Sequence, residues 1–397
     1  MKILVLNCGS STLKFQLIEV EKSERPQRKL ARGIIDRIGG NGTFRFIVGD
    51  STPVEKPVAV RSHEKAVGLV ISWIQSIPQL GNPAATGHRV VHGGEKFAAS
   101  VAIDEAVLGD LEALCDLAPL HNPAATSGIR AARKILGSTT PMVAVFDTSF
   151  HRGIPEYAAN YAIPYELSRK HGIRRYGFHG LAHEYDIARY AEQTGKRVAE
   201  INAVVMHLGN GCSASAIRNG RSVDTSMGFT PLEGLMMGTR SGDLDPALVS
   251  YLARKENVDA AEVESWLNNR SGLLGVSGLS SDMRELAAAY NENPRARLAV
   301  DLFCYRARKY IGAYLAALSG AETVIFSGGI GENSALVRRL ICGGMEWLGL
   351  RLDVAANEAV IGREARISTT DSRLEIYVIH TDEEAIIARE TARVVQL

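Results

Sequence analysis

Short apolar runs separated by glycine-rich polar turns recur along this chain, and two of the runs look like copies of one another. Ile3-Leu4-Val5-Leu6 is followed by Asn7-Cys8-Gly9-Ser10-Ser11-Thr12 and then by Leu13-Lys14-Phe15. Two hundred residues later, Ala203-Val204-Val205-Met206 is followed by His207-Leu208-Gly209-Asn210-Gly211 and then by Cys212-Ser213-Ala214-Ser215. Each reads as a strand, a tight turn and a returning strand. Glycine lets backbone approach an anion, and residues such as Ser10, Thr12 and Asn210 add short donors. Two such turns suggest two similar half-domains gripping one polyphosphate between them.

Elsewhere strands alternate with helices, which predicts α/β layering. Ser62 is placed to cap a helix with Val67, Val70, Ile71 and Ile74 on one face. Asn122-Pro123 reads as a cap and an N1 proline opening another helix, ended by Gly137. Residues 143–146 form a buried strand ending at Asp147, and polar groups just past strand ends are where open α/β sheets place chemistry. A helix starts near His179, Asn219-Gly220 marks a hairpin turn, and an amphipathic helix runs over about 297–318. Residues 324–326 form a strand feeding Ser327-Gly328-Gly329-Ile330-Gly331-Glu332-Asn333 and then a helix. Residues 376–379 are the last strand, and a closing helix begins at Glu384. The repeat places a domain boundary near residue 150. The N-terminal domain is then 1–150, joined by the closing helix 384–397, and the C-terminal, nucleotide-binding domain is 151–383.

A chain of 397 residues with 46% hydrophobic content has room for two sizeable cores and is not disordered. Its net charge of +1 gives no basic field for nucleic acid. The five cysteines are odd in number and lack CxxC spacing, which speaks against a disulfide framework or zinc site and for a reducing compartment. No run approaches the about 18 apolar residues of a membrane span, and the first apolar run is too short for a signal peptide. A cytoplasmic enzyme with neither membrane nor nucleic-acid partner is the expectation.

Several segments carry candidate chemistry. The turn at residues 7–14 has the composition of a P-loop without its spacing or following helix. Lys14, on the returning strand, could reach back to a phosphate; an isolated hairpin of this kind reads rather as an ordinary solvated turn, and the repeat and a third glycine motif reverse that reading. Gly328–Asn333 lacks the last glycine of GxGxxG, and it suits either an adenosine phosphate or a plain strand-to-helix turn. The segment Met237-Gly238-Thr239-Arg240-Ser241-Gly242-Asp243-Leu244-Asp245-Pro246 is rich in glycine and charge, and Arg240 there can spread charge over phosphoryl oxygens. A salt-bridged surface loop is the bland alternative. In Gly87-His88-Arg89-Val90-Val91-His92-Gly93-Gly94, Arg89 could grip a substrate carboxylate bidentately, or be structural. Val91 lies on the same face of an extended segment and suits a short apolar tail. His179 and His183 have the i, i+4 spacing of a zinc pair, but Gly180 stands where HExxH needs glutamate. Gly211-Cys212-Ser213-Ala214-Ser215 misses the serine nucleophile elbow by one residue.

Taken together the motifs resemble the acetate kinase family, in the acetate and propionate kinase group of the actin, Hsp70 and sugar-kinase superfamily. The resemblance spans essentially the whole chain: NCGSSTLKF, GHRVVHGGE, FDTSFH, YGFHG, HLGNG, TPLEGLMMGTRSGDLDP, SGGIGEN and TDEEAIIARET, in that order. It implies two duplicated actin-like (ribonuclease H-like) α/β domains flanking a nucleotide cleft, and a cytoplasmic homodimer using ATP and Mg²⁺ or Mn²⁺. It implies that Asn7 and Glu383 contribute to the metal site. Lys14, Ser10, Thr12, His207, Leu208, Gly209, Asn210, Gly211, Asp282, Met283, Arg284, Gly329, Ile330, Gly331, Glu332 and Asn333 would line ATP or ADP. Arg89 would hold the acetate carboxylate, with Val91, Leu120, Phe178 and Pro231 around its methyl group. Asp147, His179 and Arg240 would surround the transferring phosphoryl. In the closing motif, Asp382 stands where the family pattern has Asn.

The reaction implied is ATP + acetate ⇌ ADP + acetyl phosphate by direct in-line transfer. Acetate is already ionised at neutral pH, so a base is not required, and Asp147 is read as an orienter of metal or arginine. Phosphorylation of propionate or another short acid is the alternative. A nucleotide-switched binding protein of the same superfold is a third reading, against which the Arg89–Val91 pair argues.

Overall fold

The computed structural model describes residues 1–21, 28–119 and 121–396, so the expected pocket residue Leu120 lies outside the described residues. The chain divides into two compact units, Met1–Ser149 with Asp382–Leu397, and Phe150–Thr381.

The first unit is built on β1 (Lys2–Cys8), β2 (Leu13–Glu19), β3 (Arg28–Ile35), β4 (Gly40–Val48), β5 (Val54–Val60), β6 (Ala85–Val90), β7 (Val101–Ala102) and β8 (Met142–Phe146), in the order β5-β4-β3-β2-β1-β6-β8-β7. β1 pairs antiparallel with β2, placing Asn7 opposite Lys14, and β1, β6 and β8 are mutually parallel. Parallel strands are covered on both faces, which is why β1 and β8 read as unbroken apolar runs. The helices His63–Gln75 and Asn122–Leu136 pack against this sheet through Val67, Val70, Ile71, Ile74 and Ile129. The closing helix Glu383–Gln396 packs on β1, β6 and β8. A Cβ on Gly87 would lie 2.3 Å from Thr391 Oγ1 and 2.7 Å from Ile387 Cγ2, so glycine lets that helix approach the strand carrying Arg89.

The second unit repeats the plan with β9 (Ala203–Leu208), β10 (Cys212–Arg218), β11 (Arg221–Thr225), β12 (Thr323–Ser327), β13 (Ala365–Arg366) and β14 (Glu375–Val378), in the order β11-β10-β9-β12-β14-β13. The β9–β10 hairpin matches β1–β2, and the parallel neighbours β12 and β14 match β6 and β8. His207 takes the place that Asn7 has in the first unit. The α/β duplication expected from the repeated hairpin is thus present in strand order. Asn219 and Gly220 turn from β10 to β11 with φ of 51° and 72°, both in the left-handed region that such a hairpin needs.

Three local expectations change. Asn122 is the first residue of its helix, not the cap, and its side chain accepts from His92 N (3.2 Å) and donates to His92 O (3.0 Å). The long helix starts earlier, at Pro294, because Asn293 caps it through the N–H groups of Arg295 and Ala296. The glycine motif Gly328–Asn333 is itself one short helix, followed by another at Ala335–Cys342.

That junction is tied by Arg338, whose side chain has no exposed surface. It donates to Gly331 O (2.8 Å), Glu332 O (3.0 Å), Asn357 Oδ1 (2.8 Å), Asn357 O (2.9 Å) and Val360 O (2.6 Å). Burial pushes its pKa down to about 10, and backbone carbonyls take the place of a counter-anion. Arg338→Met should cost about 3 kcal/mol or more, because several buried acceptors lose their donor together. Denaturant unfolding would check this, and a loss under about 1 kcal/mol would remove the tie.

Candidate active site

In the first unit the functional side chains stand at or just past the C-terminal ends of three parallel strands, where open α/β sheets leave polar groups unsatisfied. Asn7 and Arg89 are the penultimate residues of β1 and β6, and Asp147 directly follows β8. Arg89 grips Asp147 with both arms of its fork, Nε to Oδ1 at 2.8 Å and Nη2 to Oδ2 at 2.6 Å. Its Nη1 donates to Asn7 Oδ1 at 3.3 Å and lies 3.6 Å from Glu383 Oε2. Burial weakens the Arg89 charge, but the carboxylates of Asp147 and Glu383 outweigh it and raise the pKa. Asp147 of this chain is thus a bidentate carboxylate partner of Arg89. Val91 follows, half-buried.

Glu383 is held by the turn before it. Asp382 accepts from Ala385 N at 3.2 Å and pairs with Lys29 at 2.5 Å. It thus caps the closing helix and sets Glu383 beside Arg89. Lys14 stands exposed on β2. The turn with Ser10 and Thr12 closes through Gly9 N to Thr12 O (2.8 Å) and is braced by His63 Nε2 on Gly9 O (2.6 Å).

In the second unit a strained turn presents His179. Gly177 has φ 76°, and a Cβ there would meet Thr225 Cγ2 at 2.5 Å and His151 Cδ2 at 2.7 Å. His179 itself has φ 57°, uncommon for a side-chain-bearing residue and typical of functional sites. Phe178 between them is buried, its carbonyl accepting from His151 Nε2 at 3.1 Å. Burial lowers the His151 pKa to about 4, so that donor is neutral imidazole whose Nδ1 accepts from Ser222 Oγ at 2.8 Å. His179 Nδ1 and His183 Nε2 meet at one hydroxyl, Ser213 Oγ, at 3.0 and 2.8 Å. His179 precedes the helix Gly180–Thr194 instead of lying on it, so the two histidines are not a helical zinc pair. Ser213 lies on β10, not on a nucleophile elbow.

Arg240 closes this set. Its Nη1 donates to Pro231 O at 3.3 Å and contacts Met237 Sδ at 3.8 Å. Among the described residues no carboxylate pairs with it, and burial lowers its pKa. A Cβ on Gly211 would lie 3.4 Å from His179 Nε2 and 3.8 Å from Arg240 Nη1, so both groups look onto one spot above that glycine. The segment bearing Pro231 and Arg240 is fixed by charge. Arg175 pairs with Glu233 at 2.6 Å, Tyr161 donates to Glu233, and Asp243 accepts from Gly234 N (2.9 Å) and Tyr310 OH (2.7 Å).

A cavity of about 780 Å³ opens in the same unit. Gly209 and Asn210 line it from the hairpin, Asp282, Met283 and Arg284 from a helix start, and Gly329, Ile330 and Asn333 from the glycine-motif helix. Ser281, Ala287 and Ser334 also line it and carry no signal in the sequence beyond adjacency to those motifs. Asp282 caps its helix on Arg284 N and pairs with the Arg284 guanidinium at 2.6 Å.

Other expected nucleotide residues turn away. Leu208 is fully buried core. Gly331 and Glu332 lie on the inward side of their short helix, where Glu332 accepts from His380 Nδ1 (2.5 Å) and Thr381 N (3.2 Å). His207 points its Nδ1 at Ser327 Oγ, 3.1 Å away.

Known proteins match this architecture over its whole length. The chain is 48% identical to an acetate kinase of Chloroherpeton thalassium, over 100% of this chain and 99% of that one. It superposes on the crystal structure of Porphyromonas gingivalis acetate kinase with a TM-score of 0.90 at 42% identity, covering 99% of each chain. A propionate kinase from Francisella tularensis gives a TM-score of 0.92 at 40% identity, again over 99% of each. Residues 2–389 match the acetokinase family model, and the chain belongs to that family.

Proposed function

We propose that this protein transfers the γ-phosphoryl of ATP to acetate, reversibly, giving ADP and acetyl phosphate. The observation that carries this reading is the half-buried Arg240 guanidinium, which has no carboxylate partner among the described residues and shares the spot above Gly211 with His179 Nε2. A desolvated cation of this kind is stabilised when an anion arrives, and a phosphoryl group supplies one. The nucleotide occupies the cavity of Gly209, Asn210, Asp282–Arg284, Gly329, Ile330 and Asn333.

Acetate is ionised at neutral pH and attacks without a base. Asp147 then serves to hold Arg89, and Arg89 positions the acid. His179 and Arg240 donate to the equatorial oxygens as negative charge spreads over them. Asn7 and Glu383 offer an amide and a carboxylate oxygen, the hard donor set that Mg²⁺ accepts alongside substrate phosphates and water. When bound, the ion neutralises phosphate charge and orients the leaving oxygen. By the family resemblance, Val91 in the first unit and Phe178 and Pro231 in the second are the candidates to meet the acetate methyl group. The same reading makes the protein a cytoplasmic homodimer, and no helix among the described residues is long and apolar enough to cross a membrane. Propionate is the second reading, favoured by the likeness to the Francisella propionate kinase. A coupled assay of ADP release with formate, acetate, propionate and butyrate decides between them. ADP release that no acid stimulates would overturn both.

Arg240→Ala should lower kcat by on the order of 10³-fold, with ATP affinity little changed. Activity within about tenfold of the parent would remove Arg240 from the phosphoryl site.

Asp147→Asn should depress kcat/KM for acetate at every pH and leave the shape of the pH–rate profile unaltered, since the change acts by loosening Arg89. Loss of an acidic limb in the mutant profile, with Mg²⁺ dependence intact, would instead make Asp147 the base.

Val91→Ala should move preference from acetate toward propionate by opening room for about one methylene, worth roughly 10–200-fold in discrimination. The gain should appear as a lower propionate KM with nucleotide parameters unchanged. A change in the propionate-to-acetate kcat/KM ratio under about threefold assigns selectivity to Phe178 or Leu120 instead.

A further inference from the structure

Asp186 is a carboxylate with no exposed surface, and neither the motifs nor the phosphoryl chemistry above uses it. It sits on the helix Gly180–Thr194 that follows His179. Two hydroxyls donate to it: Ser327 Oγ to Oδ2 at 2.5 Å and Thr381 Oγ1 to Oδ1 at 2.7 Å. Ser327 ends β12 directly opposite His207 of β9, and its Oγ lies 3.1 Å from His207 Nδ1. His207 in turn stands beside His179, with ring centroids 5.0 Å apart.

The proton count in this row is constrained. A serine hydroxyl has one hydrogen, and the short contact commits it to Asp186. Only lone pairs of Ser327 then face His207, so Nδ1 must carry the hydrogen of that bond. We propose that Asp186, acting through Ser327, fixes His207 with its proton on Nδ1, which leaves Nε2 as the acceptor nitrogen of the ring. Asp186 and Ser327 are positioning residues in this scheme, and the arrangement parallels the buried aspartate that sets the histidine tautomer in hydrolase triads. The inference rests on this geometry and is independent of the phosphotransfer reading.

Asp186→Asn should reverse the direction of these bonds. An amide can donate where a carboxylate cannot. Ser327 is then able to accept from Asn and turn its own hydrogen onto His207 Nδ1, which drives the imidazole proton to Nε2. Two-bond ¹⁵N–¹H spectra of the full-length protein, labelled at histidine and assigned by the signals lost in His207→Gln, report the tautomer directly. The parent protein should show His207 protonated on Nδ1, and Asp186→Asn should move the proton to Nε2. Ser327→Ala should abolish the Nδ1 preference. An Nε2 proton in the parent, or an unchanged tautomer in Asp186→Asn, overturns the proposal. The parent spectrum alone decides it if a variant does not fold. A chain inactive toward every short acid would sink the phosphotransfer reading and leave this spectrum as informative as before.

Discussion

A guanidinium taken out of water destabilises a fold unless something accepts its hydrogen bonds, and this chain places three arginines under that constraint with three different outcomes. Arg338 is satisfied by carbonyls and fastens the glycine-motif helix to the helix Ala335–Cys342. Arg89 is satisfied by a buried carboxylate, so its plane and reach are settled before any substrate arrives. Arg240 has only a carbonyl and a thioether. The first holds a helix that lines the cavity, the second is already paired with a carboxylate, and the third has none among the described residues.

The duplication explains why both sets of groups occur at equivalent points of a sheet. Each unit is a hairpin with parallel neighbours added on one side, and each presents polar residues where the first strand ends. In the first unit that residue is Asn7, in contact with Arg89. In the second it is His207, in contact with Ser327. One backbone plan therefore holds two sets of polar groups, an amide with arginine and carboxylates in the first unit and imidazoles with hydroxyls in the second.

Much of this was legible from residues close together in the chain. The two hairpins, the Ser62 cap, the Asn219-Gly220 turn and the strand ending at Asp147 each have a local cause, and local causes are visible in a sequence. The α/β duplication followed from comparing the two hairpins. What was hidden depends on partners far away. Asn122 reads as a helix cap, but its amide goes to the backbone of His92, thirty residues earlier. Glu332 lies inside a motif whose neighbours line the cavity, yet one turn of helix points it the other way, to His380. Arg338 and Asp186 give no sequence signal at all. Their partners are carbonyls and hydroxyls brought together by the fold, and such groups have no characteristic spacing.

The first unit is assembled from two segments separated by the whole of the second. Its sheet and two helices come from Met1–Ser149, and the helix bearing Glu383 comes only after Phe150–Thr381 has been made. During synthesis, at about 5–20 residues per second, the face of β6 around Gly87 therefore waits uncovered while the second unit emerges and folds. The last helix then closes over β1, β6 and β8, and in the same event brings Glu383 to Arg89. Covering of that sheet face and pairing of Glu383 with Arg89 are one step, so a nascent chain gains neither without the other.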